Sequence, residues 1–163
     1  MATDKIKVLF VCLGNICRSP AAEGAFKKAI KDAGLENRFE IDSSGTGNYH
    51  IGDLPHTITR SVAKERGIVL DHHARQFKGA DFGKFDYIMA MDSTNYHDIL
   101  MHAVSDEDRS RVFLFREFDP EVDGSPDVPD PYFGGQDGFY KVQDIVERTA
   151  GGFLQYLREQ HNL

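Results

Sequence analysis

The chain reads VLFVCLGNICRSP from Val8 to Pro20. Its first four residues are β-branched, aliphatic or aromatic and have no polar face, a pattern typical of a central strand covered on both sides. The strand is expected to end near Cys12. Gly14 and Asn15 then favour a tight loop, because both residue types accept a left-handed backbone.

This loop is expected to bind an anion. A tight loop turns successive backbone N–H groups inward, and a helix N-terminus behind it adds partial positive charge. Arg18 adds a full charge and can hold two phosphate oxygens at once. The same field favours the thiolate form of Cys12, which is the nucleophilic form. The predicted phosphate-binding residues are Leu13, Gly14, Asn15, Ile16, Cys17 and Arg18.

Strands and helices alternate along the rest of the chain. Ser19 and Pro20 predict a helix that ends at Gly34, with Ser19 as N-cap and Pro20 in the first helical position. We expect further strands over 39–43, 87–91 and 112–114, and further helices over 55–66, from Asp92 or Ser93 to Met101, and from Phe139 onward. This alternation predicts an α/β fold: one three-layer domain over residues 1–163, with a central four-stranded parallel sheet, helices on both faces and the phosphate loop after the first strand.

A long loop is predicted before the last helix. Residues 117–138 contain seven acidic residues and four of the six prolines, a composition that propagates neither helix nor internal strand. Loops of this length in a compact domain are usually functional or disordered.

Composition excludes several classes of function. The chain has 163 residues, and 19 Lys and Arg against 26 Asp and Glu give a formal net charge of −7, which opposes binding to nucleic acid. No apolar run approaches the roughly 20 residues of a membrane span. The amino terminus has no apolar segment followed by a small-residue cleavage site, so we expect a cytoplasmic protein.

Two cysteines, Cys12 and Cys17, are too few for a disulfide scaffold. A Cys-x4-Cys zinc pair would need two further ligands, and the histidines lack the spacing of a tetrahedral site, so no metal is expected. The alternative to a chemical role is that both thiols are small buried hydrophobic groups.

Three separated blocks carry a specific resemblance. The first is CLGNICRSPAAE from Cys12 to Glu23, the second joins DSSGT at 42–46 with HHARQ at 72–76, and the third is VPDPYFGG at 128–135. In content, order and spacing they resemble the low-molecular-weight protein tyrosine phosphatases over nearly the whole chain.

The resemblance assigns roles that the residues only suggest. It implies that Cys12 is the nucleophile, that Arg18 stabilises the phosphate and the transition state, and that Asp130 is the general acid and base. The residues alone do not single out Asp130, although the flanking Pro129 and Pro131 restrict its backbone. The resemblance further implies a supporting network of Asn15, Ser19, Ser43 and His72, and substrate-ring contacts from Tyr49 and Tyr132.

The implied reaction is hydrolysis of phosphotyrosine in proteins, and of aryl phosphates, through a phosphocysteine intermediate and without metal or cofactor. The partners would be tyrosine-phosphorylated proteins, the product inorganic phosphate, and the protein a monomer. Three alternatives remain. An arsenate reductase needs downstream cysteines that are absent after Cys17, and protein-arginine phosphatases tend to have Thr where this chain has Leu13 and Ile16. A phosphocysteine carrier or an inactive phosphate-binding module would lack the general acid.

Cys17 lies five residues from Cys12 within one tight loop. An accessible thiolate oxidises readily to sulfenic acid, and a neighbouring thiol can capture that species as a disulfide. We therefore predict a redox role for Cys17; the alternative is that it only packs beneath the loop.

Overall fold

Four strands form one sheet in the order β2-β1-β3-β4, and every neighbouring pair is parallel. The computed structural model describes residues 4–122, 124–131 and 135–163. The predicted ring contact Tyr132 therefore lies outside the described residues. The strands are β1 (Ile6–Cys12), β2 (Phe39–Gly45), β3 (Tyr87–Ala90) and β4 (Val112–Leu114).

Five α-helices occur in the described part of the chain: α1 (Arg18–Asp32), α2 (Thr57–Glu65), α3 (Ser93–Leu100), α4 (Asp106–Ser110) and α5 (Gln136–His161). Short 3₁₀ turns cover Glu36–Arg38, Gly79–Gly83 and Phe115–Phe118. None of the described helices combines the length and the hydropathy needed to span a bilayer.

Alternate residues of β1 belong to different cores. Val8 and Phe10 pack in a cluster with α1 and α5, whereas Leu9 and Val11 pack with residues of β3 and α3. All four side chains are fully buried. The predicted parallel sheet with helices on both faces is confirmed, and Cys12 emerges at the carboxyl end of its central strand.

The predicted start of the first helix is wrong in one respect. Helix α1 begins at Arg18, and Cys17 occupies the N-cap position without a side-chain hydrogen bond. Ser19 is therefore inside the helix, and its hydroxyl interacts with Asn15 and Cys12 instead of capping. The Ser19 hydroxyl therefore belongs to the hydrogen-bond network of the phosphate loop.

Other boundaries also differ from prediction. Helix α2 begins at Thr57, and the ring Nδ1 of His56 accepts the N-terminal hydrogen bond from Ile58. The cap of α3 is confirmed, because Asp92, one of the two predicted caps, accepts from the backbone N–H of Asn95 at 2.7 Å. Helix α5 begins three residues before Phe139, and α4 was not predicted because a helix this short has little periodicity.

Candidate active site

The loop between β1 and α1 forms the floor of a cavity of about 320 Å³. Its lining brings together residues that are far apart in sequence: Cys12, Leu13, Gly14, Ile16, Cys17, Arg18, Tyr49, His50 and Asp130. The predicted nucleophile, phosphate loop, arginine and general acid therefore share one pocket.

The Cys12 thiol lies at the base of this pocket and is 2% exposed. The backbone N–H of Asn15 donates to its Sγ at 3.2 Å, and the Ser19 hydroxyl lies 3.1 Å from the same sulfur. Ser19 also lies 3.3 Å from the carbonyl of Ser44, so its single proton has two possible acceptors. A charged acceptor forms the stronger hydrogen bond, which favours donation to a Cys12 thiolate.

Asn15 fixes the shape of the loop. Its φ of 57° is in the left-handed region, which Asn tolerates better than most residues. Its side-chain amide donates to Ser19 at 2.8 Å and to Ser43 at 3.0 Å. Its carbonyl oxygen accepts from the backbone N–H of Arg75 at 3.0 Å and lies 2.9 Å from His72 Nε2. Because that oxygen only accepts, His72 Nε2 carries a proton.

Two acidic residues that the sequence analysis missed extend this network. The Ser43 hydroxyl donates to buried Glu23 at 2.6 Å, and Lys27 binds the other oxygen of Glu23 at 2.6 Å. His72 Nδ1 lies 3.4 Å from Asp42 and 3.7 Å from Glu23. A helical pattern does not reveal a buried glutamate, so only the fold could identify Glu23.

Within the part of the chain that the structure describes, Glu23, Asp42 and His72 form a group that could hold a cation, since their ligand atoms lie within 4.8 Å of one another. Lys27 already pairs with Glu23, and Arg75 pairs with Asp42 at 3.1 Å. The observed role of the three side chains is hydrogen bonding behind the phosphate loop.

Arg18 is only 3% exposed, and its guanidinium reaches three groups. Nη1 lies 2.5 Å from an Asp92 carboxylate oxygen and donates to the Val128 carbonyl at 3.2 Å, while Nη2 lies 3.6 Å from Asp130. Burial by itself would lower the pKa of Arg18, but the negative charges of Cys12 and Asp92 raise it above its usual value. Asp92 was predicted only as a helix cap, and the structure adds this second contact.

Asp130 lies at the rim of the pocket with its side chain 34% exposed. It follows Val128, which is fully buried and whose backbone N–H donates to the Met91 carbonyl at 2.7 Å. The carboxylate is therefore held beside the arginine while remaining open to substrate and water.

Cys17 lines the pocket and packs in a cluster with Ile16, Val62, Ala74 and Phe139. Burial raises the pKa of the Cys17 thiol to about 12, and the nearby charges of Cys12 and Asp130 act in the same direction against an opposing hydrogen bond with Thr59. Cys17 is therefore a neutral thiol at physiological pH.

The pocket mouth has aromatic and imidazole walls. Tyr49 is 72% exposed there, and its contact with a substrate ring stays a prediction. His50 was not predicted; it lies against the phosphate loop, where a Cβ added at Gly14 would come within 3.1 Å of its ring.

Comparison with known proteins identifies the family. Residues 7–163 match the family model described as low molecular weight phosphotyrosine protein phosphatase. The chain belongs to this family. A low molecular weight protein-tyrosine-phosphatase from Streptomyces coelicolor is 43% identical over 155 residues, covering 94% of each chain. The Schizosaccharomyces pombe low molecular weight phosphotyrosine protein phosphatase is 50% identical over 139 residues, 84% of this chain and 87% of the relative.

The same fold is present in a crystal structure of a protein tyrosine phosphatase from Entamoeba histolytica, which contains Hepes in its active site. It superposes with a TM-score of 0.91 at 40% identity over 96% of this chain and 99% of that one. The predicted family and enzyme class, a cysteine-dependent low-molecular-weight phosphatase, are confirmed.

Proposed function

We propose that this low-molecular-weight phosphatase hydrolyses phosphotyrosine in proteins with Cys12 as nucleophile, Arg18 as phosphate clamp and Asp130 as general acid and base. The observation that carries the proposal is the shared pocket: a buried thiol that accepts a backbone N–H, a buried guanidinium and a half-open carboxylate.

In the first step, the Cys12 thiolate attacks phosphorus in line with the bond to the phenolic oxygen. An S–P bond forms, the P–O bond breaks, and protonated Asp130 gives its proton to the leaving oxygen. Arg18 and the backbone N–H groups of the loop stabilise the equatorial oxygens, which carry the transition-state charge. The products are a phenol and a phosphocysteine.

In the second step, water attacks the phosphocysteine. Asp130, now ionised, takes a proton from the water as the O–P bond forms, and the S–P bond breaks to return the Cys12 thiolate. Inorganic phosphate is released. The hydrogen bonds from Asn15 and Ser19 stabilise the thiolate both as nucleophile and as leaving group.

Three peptides that carry phosphotyrosine, phosphoarginine or phosphoserine in one sequence test the substrate class. We expect steady-state turnover of phosphotyrosine to exceed that of the other two, since exposed Leu13 and Tyr49 suit an aromatic ester. Preferred turnover of phosphoarginine would refute the proposed substrate. A single burst of product without turnover would identify a carrier.

Cys17 is proposed as the redox partner of Cys12. Both thiols line the active-site cavity, and the Cys12 charge acts on Cys17. Peroxide oxidises the Cys12 thiolate to sulfenic acid; Cys17 sulfur then attacks the Cys12 sulfur, forming the disulfide and releasing water. A thiol reductant restores both thiols.

We also propose that the enzyme acts as a cytoplasmic monomer. The described residues of one chain supply the nucleophile, arginine and carboxylate of the pocket, and a catalytic thiol is kept reduced most readily in the cytoplasm. Light scattering and cell fractionation test these two points; an obligate dimer or a secreted protein would refute them.

A further inference from the structure

A buried ion-pair cluster lies at the base of the loop that carries Asp130. The Asp119 side chain is completely shielded from solvent. Arg148 of α5 donates two hydrogen bonds to it, at 2.7 and 2.8 Å, and Arg116 Nε donates a third at 3.2 Å. The backbone N–H of Glu121 donates a fourth at 2.9 Å. No atom of this cluster lines the active-site cavity.

Arg116 connects the start of the loop with the segment just before Asp130. Its Nε binds Asp119, where the loop leaves the 3₁₀ turn, and its Nη1 donates to the carbonyl of Asp127 at 2.9 Å. The Asp127 carboxylate in turn accepts from the backbone N–H and the hydroxyl of Ser93, each at 3.0 Å. Asp127 is three residues before Asp130, so this guanidinium holds the segment that positions the general acid.

Helix α5 fixes the other side of the cluster. A Cβ built at Gly152 would be 1.9 Å from the Phe118 carbonyl oxygen, so the helix and the loop base approach as closely as glycine permits. Arg148 projects from the same helix one turn earlier. The start of the loop is thus attached to the longest helix of the structure by backbone contact and by charge.

We propose that Asp119, held by Arg116 and Arg148, is a positioning residue for the general acid. The inference rests on the proposed role of Asp130. The described residues between 119 and 131 form no helix or strand, so their path depends on such contacts. Proton transfer requires heavy atoms within about 2.6–3.2 Å, and a misplacement of about 1 Å can cost about 100-fold in rate.

Asp119→Asn and Arg116→Lys test the proposal by different perturbations. The first removes the buried charge but keeps the shape. The second keeps a positive charge but replaces the fork that reaches Asp119 and Asp127 together. Arg66→Met is the matched control, because Arg66 also pairs with two carboxylates of α5, Asp144 and Glu147, at 2.9 and 2.7 Å.

The readout is kcat/KM for aryl phosphates whose phenols differ in basicity, because this constant reports the first step, in which the phenol leaves, and not the hydrolysis of the phosphocysteine. We expect both test variants to lose about 10- to 100-fold with basic phenols and little with acidic phenols, which leave without a proton. Alkylation of Cys12 by iodoacetate should keep its wild-type rate. Any loss of activity in Arg66→Met, relative to wild type, should be the same for all phenols. Equal losses for all phenols would overturn the proposal, since they indicate general disruption.

A double variant separates this inference from the proposed function. If Asp119 acts through Asp130, Asp119→Asn should slow Asp130→Asn no further with basic phenols. An additional loss in the double variant would overturn the positioning role. If Asp119→Asn fails to fold, Arg116→Lys in the same Asp130→Asn background gives the same comparison. If the Asp130→Asn single variant loses the same factor in activity with all phenols, the catalytic role of Asp130 itself is refuted.

Discussion

At the scale of single residues, Asn15 shows how one side chain can define a catalytic loop. Its amide uses two donors and two acceptor positions, all on partners from separate segments: α1, β2 and the segment around His72. Its backbone N–H points at the Cys12 sulfur. These contacts hold Asn15 at its left-handed φ of 57°, in which its backbone N–H is directed at the Cys12 sulfur.

Replacing the proposed nucleophile separates binding from turnover. Cys12→Ser should lose more than about 10³-fold in kcat, because a hydroxyl has almost no alkoxide at neutral pH. The phosphate loop should keep its shape, so phosphate or vanadate should still bind, as titration calorimetry can measure. Near-normal hydrolysis by this variant would sink the assignment of Cys12.

Removing the carboxylate of Asp130 tests the acid role directly. Asp130→Ala should reduce kcat/KM about 10²–10³-fold with phosphotyrosine and less with esters of acidic phenols, because proton donation in the first step matters most for a basic leaving group. The comparison is a plot of log kcat/KM against phenol pKa for wild type and variant. A parallel displacement of the two lines would mean that another residue is the acid.

The role of Cys17 is tested by oxidation. Wild-type activity lost to hydrogen peroxide should return with a thiol reductant, whereas Cys17→Ser should retain a larger irreversible loss, with sulfinic or sulfonic Cys12 seen by mass spectrometry. Because burial raises the pKa of Cys17 to about 12, resolution should accelerate as pH rises. Identical recovery in both proteins, without a Cys12–Cys17 link, would leave Cys17 as packing alone.

At the scale of elements, the strand–loop–helix unit was predictable because its determinants are local. Apolar β1, Gly14 with Asn15, and Pro20 each act on their own stretch of backbone. The helix cap was mispredicted because the Ser19 hydroxyl interacts with Cys12 and Asn15 of the preceding loop, and helix-start preferences do not include the shape of that loop. The roles of Asp92, Glu23 and Arg148 could not be predicted locally, because each side chain contacts a distant segment of the chain. The Arg18–Asp92 pair is an example.

The end of β2 supports the phosphate loop by close approach. A Cβ at Gly45 would be 2.6 Å from the Leu13 carbonyl oxygen and 3.1 Å from the Asn15 nitrogen, both backbone atoms. Gly45→Ala should therefore displace the loop, lowering kcat/KM by at least about tenfold and destabilising the fold by about 1–3 kcal/mol. Steady-state kinetics and urea unfolding measure the two effects.

Gly83→Ala is the control, because a Cβ at Gly83 would meet nothing within 4 Å. It should leave both quantities close to wild type. If Gly45→Ala behaves like Gly83→Ala, the close approach of β2 does not shape the site.

At the scale of the whole molecule, the positive charge at the pocket floor contrasts with the negative net charge of the chain. The formal net charge is −7, yet the pocket floor presents Arg18 and backbone donors. Composition alone predicts that the protein does not bind nucleic acid, but it does not reveal which carboxylates are buried in ion pairs with arginine. Asp119 is the clearest case: from sequence it was one of seven acids in residues 117–138, and the fold alone distinguishes it.

Asp119 makes stability depend on pH in a defined direction. Hydrogen bonds from Arg148 lower the pKa of Asp119 from 3.8 to about 2. A folded-state pKa below the unfolded value means that its contribution to stability is complete above pH 4 and disappears as the pH falls through about 2. The lowering corresponds to about 2 kcal/mol.

Asp119→Asn removes this contribution, so the gap in unfolding free energy between wild type and variant should shrink by about 2 kcal/mol between pH 6 and pH 2. Urea unfolding across this range measures the gap, with Asp106→Asn as the control because the Asp106 side chain is fully exposed. Wild-type and Asp119→Asn curves that stay parallel down to pH 2 would show that the buried carboxylate carries no pH-dependent stability.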